Sequence, residues 1–281
     1  MKLIVVSFSC LWGFSTLFPR FTASAESYPV PTPTTLVGAL AKPYLKLIGD
    51  DSELYLDEKS GTIVSSAARL LDKVKYVTAG IKGFSVPFQD LEYISKVLYE
   101  QEGNLRSNVR NFLSYAFSAL ARGKTSLLTY SEEGLRGEVY AIYAVTDDDA
   151  GLLGKAAWGI TRVGSKESAV YVKNVHIVEP EIVTDRKVET MFYIPVGYGV
   201  EAVESYTWVD MPVLKKENFA KGGRARSLES FFVPFNTFYG GFMTVRVPRY
   251  SQYVYSIKLP KEELLVVIPT LFDEAGRGVS P

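Results

Sequence analysis

Three prolines at alternate positions, Pro29, Pro31 and Pro33 in Ser27-Tyr-Pro-Val-Pro-Thr-Pro-Thr-Thr35, constrain this chain more tightly than any other stretch. Each ring locks its own φ and biases the residue before it toward extended geometry, so the segment enters no helix before Pro33. A helix then starts near Thr34 or Thr35, either of which can cap it. It runs through Leu36-Val-Gly-Ala-Leu-Ala41 until Pro43 kinks or ends it. A helix start of this kind offers free backbone N–H groups to an anion. The small residues around Gly38 also let another group approach closely. The plainer alternative is a capped helix whose Gly38 packs against the protein itself.

Beyond this point the pattern divides. Apolar residues at helical spacing predict a helix over 62–77 (Ile63, Ala67, Leu70, Leu71, Val74) and a second over 89–100. A third is predicted from about Asn104 to Arg122, stopped by Gly123. Strand-forming runs follow: Ser126–Tyr130, Glu138–Val145, Ala169–Val178, Val188–Ile194, Val203–Val209, Phe242–Val247, Tyr253–Lys258 and Leu264–Ile268. Aromatic content of 13%, mostly Tyr and Phe, suits a strand-rich second half. Helices in 1–125 and strands in 126–281 predict an α+β chain, read as one unit over 1–281, rather than a repeated βαβ design.

The N-terminus admits two readings. Lys2 to Ser9, with Ile4-Val-Val6 at its centre, predicts a buried first strand. The apolar stretch Leu3–Phe18, followed by Ala23 and Ala25, alternatively reads as a secretory leader on a β-rich binding protein. Ser7, Ser9, Cys10, Gly13 and Ser15 dilute the apolar run, and Arg20-Phe21 fits a cleavage region poorly. The run is shorter than the roughly 20 apolar residues of a membrane span, so no membrane association is expected.

With 31 Lys+Arg against 31 Asp+Glu the chain is not a globally basic nucleic-acid binder. One His and one Cys rule out an internal disulfide and any His-rich zinc site, and no metal or cofactor is expected. Neutrality is nevertheless an average. Residues 51–150 hold 11 positive and 15 negative groups, whereas Lys215–Arg226 holds five positive and one negative. Those five are Lys215, Lys216, Lys221, Arg224 and Arg226. The aromatics Phe231, Phe232, Phe235, Phe238 and Tyr239 follow. Cations beside aromatics suit single-stranded nucleic acid, by phosphate contact and base stacking. The alternative is a solvated loop beside core aromatics.

A second cluster, Trp158-Gly-Ile-Thr-Arg162-Val-Gly164-Ser165-Lys166-Glu-Ser168, precedes the strand at Ala169. Its glycine turn, two cations and hydroxyls suit an anion, without the spacing of a phosphate-binding P-loop. It reads otherwise as a polar hairpin loop. His176, on a strand between Val175 and Ile177, fits a packing role better than a general base. Asp147-Asp-Asp149 reads as solvated loop acids rather than a cation site. No nucleophile elbow or Cys-x-x-Cys motif is present.

In this order, the strand, the proline-rich lead into Leu36-Val-Gly-Ala-Leu40, and Arg162-Val-Gly-Ser-Lys-Glu-Ser168 before a strand resemble the Cas-five subunits of CRISPR Cascade complexes. The likeness is greatest to archaeal subtype I-A members. The resemblance implies a ferredoxin-like (RRM-type) β-α-β-β-α-β domain of the repeat-associated RNA-binding superfamily, carrying a β-hairpin thumb. Two segments are candidates for that thumb, Ser131–Gly154 and Lys215–Arg226. It further implies a cytoplasmic, non-catalytic subunit that caps the 5′ handle of the guide RNA and contacts the backbone and large subunits. Arg162, Gly164, Ser165, Lys166 and the Lys215–Arg226 cations would meet RNA, and Pro33, Thr34, Thr35 and Gly38 would shape the helix start. The runner-up is a metal-independent endoribonuclease acting on repeat RNA, with His176 and a Tyr or Lys as its acid–base pair.

Overall fold

A computed structural model describes residues 1–18, 26–58, 60–95, 117–128, 137–220, 227–247 and 254–268. The chain runs β1 (Lys2–Cys10), β2 (Gly13–Phe14), α1 (Pro33–Leu47), β3 (Leu54–Asp57), β4 (Thr62–Ser65), a 3-10 turn (Ser66–Leu70) and β5 (Val74–Lys82). A long antiparallel ribbon follows, β6 (Phe84–Ser95) with β7 (Phe117–Leu128). Then come β8 (Gly137–Val145), α2 (Asp147–Ala157) and β9 (Val170–Val178). Shorter strands complete the chain: β10 (Glu181–Val183), β11 (Lys187–Thr190), β12 (Ile194–Pro195), β13 (Glu201–Glu204) and β14 (Tyr206–Pro212). After a 3-10 turn (Lys216–Phe219) come β15 (Leu228–Pro234), β16 (Tyr239–Gly240), β17 (Met243–Arg246), β18 (Val254–Lys258) and β19 (Glu263–Val267).

The organising layer is an antiparallel sheet in the order β5-β8-β1-β9. Strand alternation gives it two apolar faces. Ile4, Val6 and Phe8 of β1 and Val139, Ala141 and Tyr143 of β8 face Leu36, Val37 and Leu40 of α1 and Leu153 of α2. Leu3 and Val5, with Tyr140 and Ile142, face Ile257, Leu264 and Val266 of the β18–β19 pair. β1 is therefore buried on both sides, which explains the apolar run Leu3–Val6. Leaving out the insertions, the order β1-α1-β5-β8-α2-β9 is β-α-β-β-α-β.

Several expected elements differ. The spacing read as a helix over 62–77 spans three elements, β4, the first 3-10 turn and β5. Val74 and Val77 pack better on the pleated sheet, where β5 pairs with β8 along its length. Residues 89–95 continue β6 rather than begin a helix, and 96–100 lie outside the described residues. The predicted helix at Asn104–Arg122 falls outside them up to residue 116. Residues 117–122 are strand, and Gly123 sits in mid-β7, where its carbonyl accepts the Ser15 hydroxyl (2.7 Å). Helices are thus not confined to the first 125 residues. Among the described residues there is one in each half, α1 and α2.

Asp147, Asp148 and Asp149 form the first turn of α2, where carboxylates suit the positive end of the helix. Asp149 is held by Lys73 Nζ (2.5 Å) and the Thr146 hydroxyl (2.8 Å). Val188–Ile194 is interrupted between β11 and β12, and Val203–Val209 at Ser205, whose φ is 59°. Of the run at Ser126–Tyr130, residues 126–128 end β7, and 129–130 lie outside the described residues.

Neither candidate thumb segment is a projecting hairpin in its described part. Gly137–Val145 is the inner strand β8, and Lys216–Phe219 is the 3-10 turn. The long ribbon is β6–β7, paired from Phe84↔Leu128 to Ser95↔Phe117, about 40 Å at ~3.4 Å per residue. Its neighbours β16 and β2 pair only with Phe84–Ser85 and Thr125–Ser126, at one end. Among the described residues the rest of the ribbon has no other strand beside it. Pro87 is tolerated because β6 beyond Ser85 has β7 on one side only.

Candidate nucleic-acid interface

The proline-rich segment does what its chemistry requires. Thr32 is extended (ψ 159°) and is the N-cap, its hydroxyl accepting from Thr35 N (3.4 Å), with Pro33 in the first turn. The cap thus lies two or three residues before the expected one. Pro43 does not end the helix, which runs to Leu47. Gly159 makes room for its ring, since a Cβ on Gly159 would lie 2.6 Å from Pro43 Cβ. No acidic side chain occupies the first turn of α1, so its positive end is not neutralised locally.

The Arg162–Ser168 loop is built around a contact that only glycine permits. Gly164 has φ 93°, and a Cβ there would lie 2.3 Å from the Ser15 carbonyl oxygen. The same carbonyl accepts from Ser165 N (3.0 Å). The Ser15 amide donates to the buried Ser168 Oγ (3.0 Å), and the Ser165 and Ser168 hydroxyls share a hydrogen bond (3.0 Å). Trp12 Nε1 donates to the Glu167 carbonyl (3.0 Å). The loop is thereby latched to the segment after β1, and its serines serve the latch while Arg162 and Lys166 point to solvent.

This latch brings the two sequence motifs together. A groove of about 360 Å3 lies between them, lined by Thr35, Gly38 and Lys42 of α1 and by Arg162, Gly164 and Lys166. A Cβ on Gly38 would meet nothing within 4 Å, so this glycine does not pack against the protein but opens the helix face to the groove. Lys42 was not singled out in the sequence. It lies one turn beyond Gly38 on the same face, the i,i+4 relation that could have found it. None of Lys42, Arg162 or Lys166 makes an ion pair among the described residues, and no carboxylate lines the groove. Three uncompensated cations around small residues suit a phosphate backbone, with Arg162 able to grip phosphate oxygens bidentately.

The other expected contacts lie elsewhere. Lys216 pairs with the nearly buried Asp57 (2.6 Å) and sits over the Tyr55 ring (5.8 Å), which raises its pKa, chiefly through the Asp57 hydrogen bond. Lys215 is exposed beside it, and Lys221, Arg224 and Arg226 lie outside the described residues. Phe231 and Phe232 are core residues, edge-on to Tyr193 and Tyr206. Phe235 packs on Tyr239. A separate groove of about 610 Å3 is lined by Phe88, Trp208, Tyr239, Glu26 and Asp210, aromatic and acidic in character. His176 pairs across to Val5 and is half-buried. Its side chain has no hydrogen-bond or ion-pair partner among the described residues.

No helix among the described residues is long and apolar enough to cross a membrane. The family model described as CRISPR-associated protein (Cas_Cas5) matches residues 10–211. The CRISPR-associated protein Cas5 2 of Saccharolobus solfataricus is 29% identical over 252 residues, spanning 88% of this chain and 88% of the relative. The CRISPR system aCascade subunit Cas5 1 of the same organism is 28% identical over 228 residues, 81% of this chain and 85% of the relative. A crystal structure of a CRISPR protein from Archaeoglobus fulgidus is similar in fold, with a TM-score of 0.56 at 19% identity over 95% of this chain and 99% of that one. The family match takes in α1, the inner strand β8 and the whole Arg162–Ser168 loop, and on that extent the chain belongs to the Cas5 family of CRISPR-associated proteins.

Proposed function

We propose that this Cas5 chain is a non-catalytic, cytoplasmic subunit of an archaeal subtype I-A Cascade complex, holding the 5′ handle of the guide RNA against its backbone and large subunits. The observation that carries the reading is the groove in which Lys42, Arg162 and Lys166 surround the open face of Gly38 beside the latched turn at Gly164. Phosphates of a short single-stranded end follow the cations, while Gly38 lets the sugar–phosphate chain approach the helix backbone. The β-α-β-β-α-β order of the central sheet supports a ferredoxin-like, RRM-type domain. The β6–β7 ribbon, attached to neighbouring strands at one end only among the described residues, takes the part of the thumb. The one histidine, His176, is half-buried without a titratable partner among the described residues, which fits holding RNA rather than cutting it.

Binding of labelled repeat RNA carrying the 5′ handle to the purified chain tests this. The Arg162→Ala/Lys166→Ala variant is expected to lose about tenfold or more, since a charge-assisted hydrogen bond contributes ~1.5–3 kcal/mol. Unchanged affinity removes the groove from the RNA site. Repeat RNA cleaved by the wild type and spared by His176→Ala overturns the non-catalytic assignment.

A further inference from the structure

The β3–β4 pair stands apart from the other sheets, and its polarity is inverted. Its inner side is fastened by charge: Asp57, nearly buried, pairs with Lys216, and Arg69 and Lys216 lie 5.0 and 5.8 Å from the Tyr55 ring centre. Val64 is buried and bridges to Ala220. The outer side is apolar. Leu56 faces Ile63 across the pair and Leu54 follows on the same face, at 62%, 41% and 48% exposure. A half-solvated sheet normally presents polar residues outward, so three exposed branched side chains on four-residue strands imply a cover. The opposite edge of β4 is occupied by Ala220, whereas β3 has no second neighbour among the described strands.

The surrounding charge limits what that cover can be. Residues 50–58 hold Asp50, Asp51, Glu53, Asp57 and Glu58 and no cation. Asp50 is paired with Arg69 and Asp57 with Lys216. Asp51, Glu53 and Glu58 are exposed and have no ion-pair partner among the described residues. Phosphate is repelled here, in contrast to the cationic groove on α1.

We propose that the outer face of β3–β4 is a protein-docking surface that takes an apolar segment with basic flanks from another protein chain. Leu54, Leu56 and Ile63 receive the apolar residues, and Asp51, Glu53 and Glu58 receive the Lys or Arg flanks. This goes beyond the RNA assignment and stands without it.

The test uses the chain in its natural assembly, purified through a tag on this chain, with Leu56→p-benzoylphenylalanine as a photo-crosslinker. The expected product is a crosslinked peptide of another protein chain that combines apolar residues with flanking Lys or Arg. A crosslink to RNA, to a second copy of this chain, or to nothing overturns the proposal. In parallel, Glu53→Lys/Glu58→Lys changes only exposed side chains. It is expected to weaken retention of that partner about tenfold, leaving the melting temperature and handle-RNA affinity of the isolated chain unchanged. Undiminished retention overturns the proposal. Loss of handle-RNA binding by the Arg162 and Lys166 variants is read separately, so failure of either assignment is distinguishable from failure of the other.

Discussion

Gly164→Ala strikes the contact on which the groove depends. The added methyl would lie 2.3 Å from the Ser15 carbonyl oxygen and 3.1 Å from Thr16 Oγ1, at φ 93°. Holding a non-glycine residue there costs ~1–3 kcal/mol. Relief requires moving Ser15 away, which breaks the Ser165 N to Ser15 O bond at ~1 kcal/mol. It also strips the buried Ser168 hydroxyl of the Ser15 amide, another ~1–3 kcal/mol. The total is about 3–7 kcal/mol, a large fraction of the ~5–15 kcal/mol that holds a domain folded. At ~2–4 °C per kcal/mol, calorimetry should show Tm lower by roughly 6–28 °C if the whole fold responds. If the loop instead detaches locally, Tm holds and RNA binding falls, because Arg162 and Lys166 leave the groove. Either result agrees with the latch. A variant that keeps both Tm within about 2 °C and RNA affinity within about twofold refutes it.

The same groove predicts the opposite pairing of effects at Gly38. Gly38→Ala should raise stability by up to ~1 kcal/mol, as alanine is the better helix former, yet weaken RNA binding by closing the open helix face; denaturation and RNA titration check both signs. Burial pushes the Cys10 thiol up to about 12, so a disulfide reagent at pH 8 should leave the folded chain unmodified and label it only on unfolding. Burial raises the Asp149 carboxyl, but the hydrogen bonds from Lys73 and Thr146 outweigh this and hold its pKa below the ordinary carboxylate value. A lowered folded pKa contributes stability that is present above about pH 4 and lost as pH falls through the folded value. Asp149→Asn should therefore cost about 1 kcal/mol at pH 7 and progressively less below pH 4, as read from urea midpoints at pH 7 and pH 3.

What could be read in the sequence was local chemistry. The prolines at 29, 31 and 33 placed the start of α1 to within three residues, because φ restriction acts without tertiary help. β8 and β9 were legible from their apolar, β-branched runs, and β1 from Ile4-Val-Val6. Misreadings arose where long-range pairing overrides spacing. Val74 matches a helical period only by joining β5 to the turn before it, and the β6–β7 ribbon is stabilised by partners 22 to 44 residues away. α2 escaped notice because three consecutive acids and two glycines read as loop. Yet the acids favour a helix N-terminus, and Gly154 is small because a Cβ there would lie 2.5 Å from Ile177 Cδ1. Of the groove, Gly38, Arg162, Gly164 and Lys166 were recognisable as types. Lys42 was not, since only the packing of α1 against the latched loop sets it beside Arg162 and Lys166.

The salt dependence of handle-RNA binding reports how many phosphates this groove neutralises. Each phosphate neutralised on a single strand adds about 0.7 to the slope of log K against log salt. Lys42→Gln/Arg162→Gln/Lys166→Gln should therefore flatten the slope by about 2, and remove roughly 18-fold of the wild-type affinity loss between 50 and 200 mM salt. A triple variant with the wild-type slope and affinity would contradict the assignment of this groove to the guide RNA.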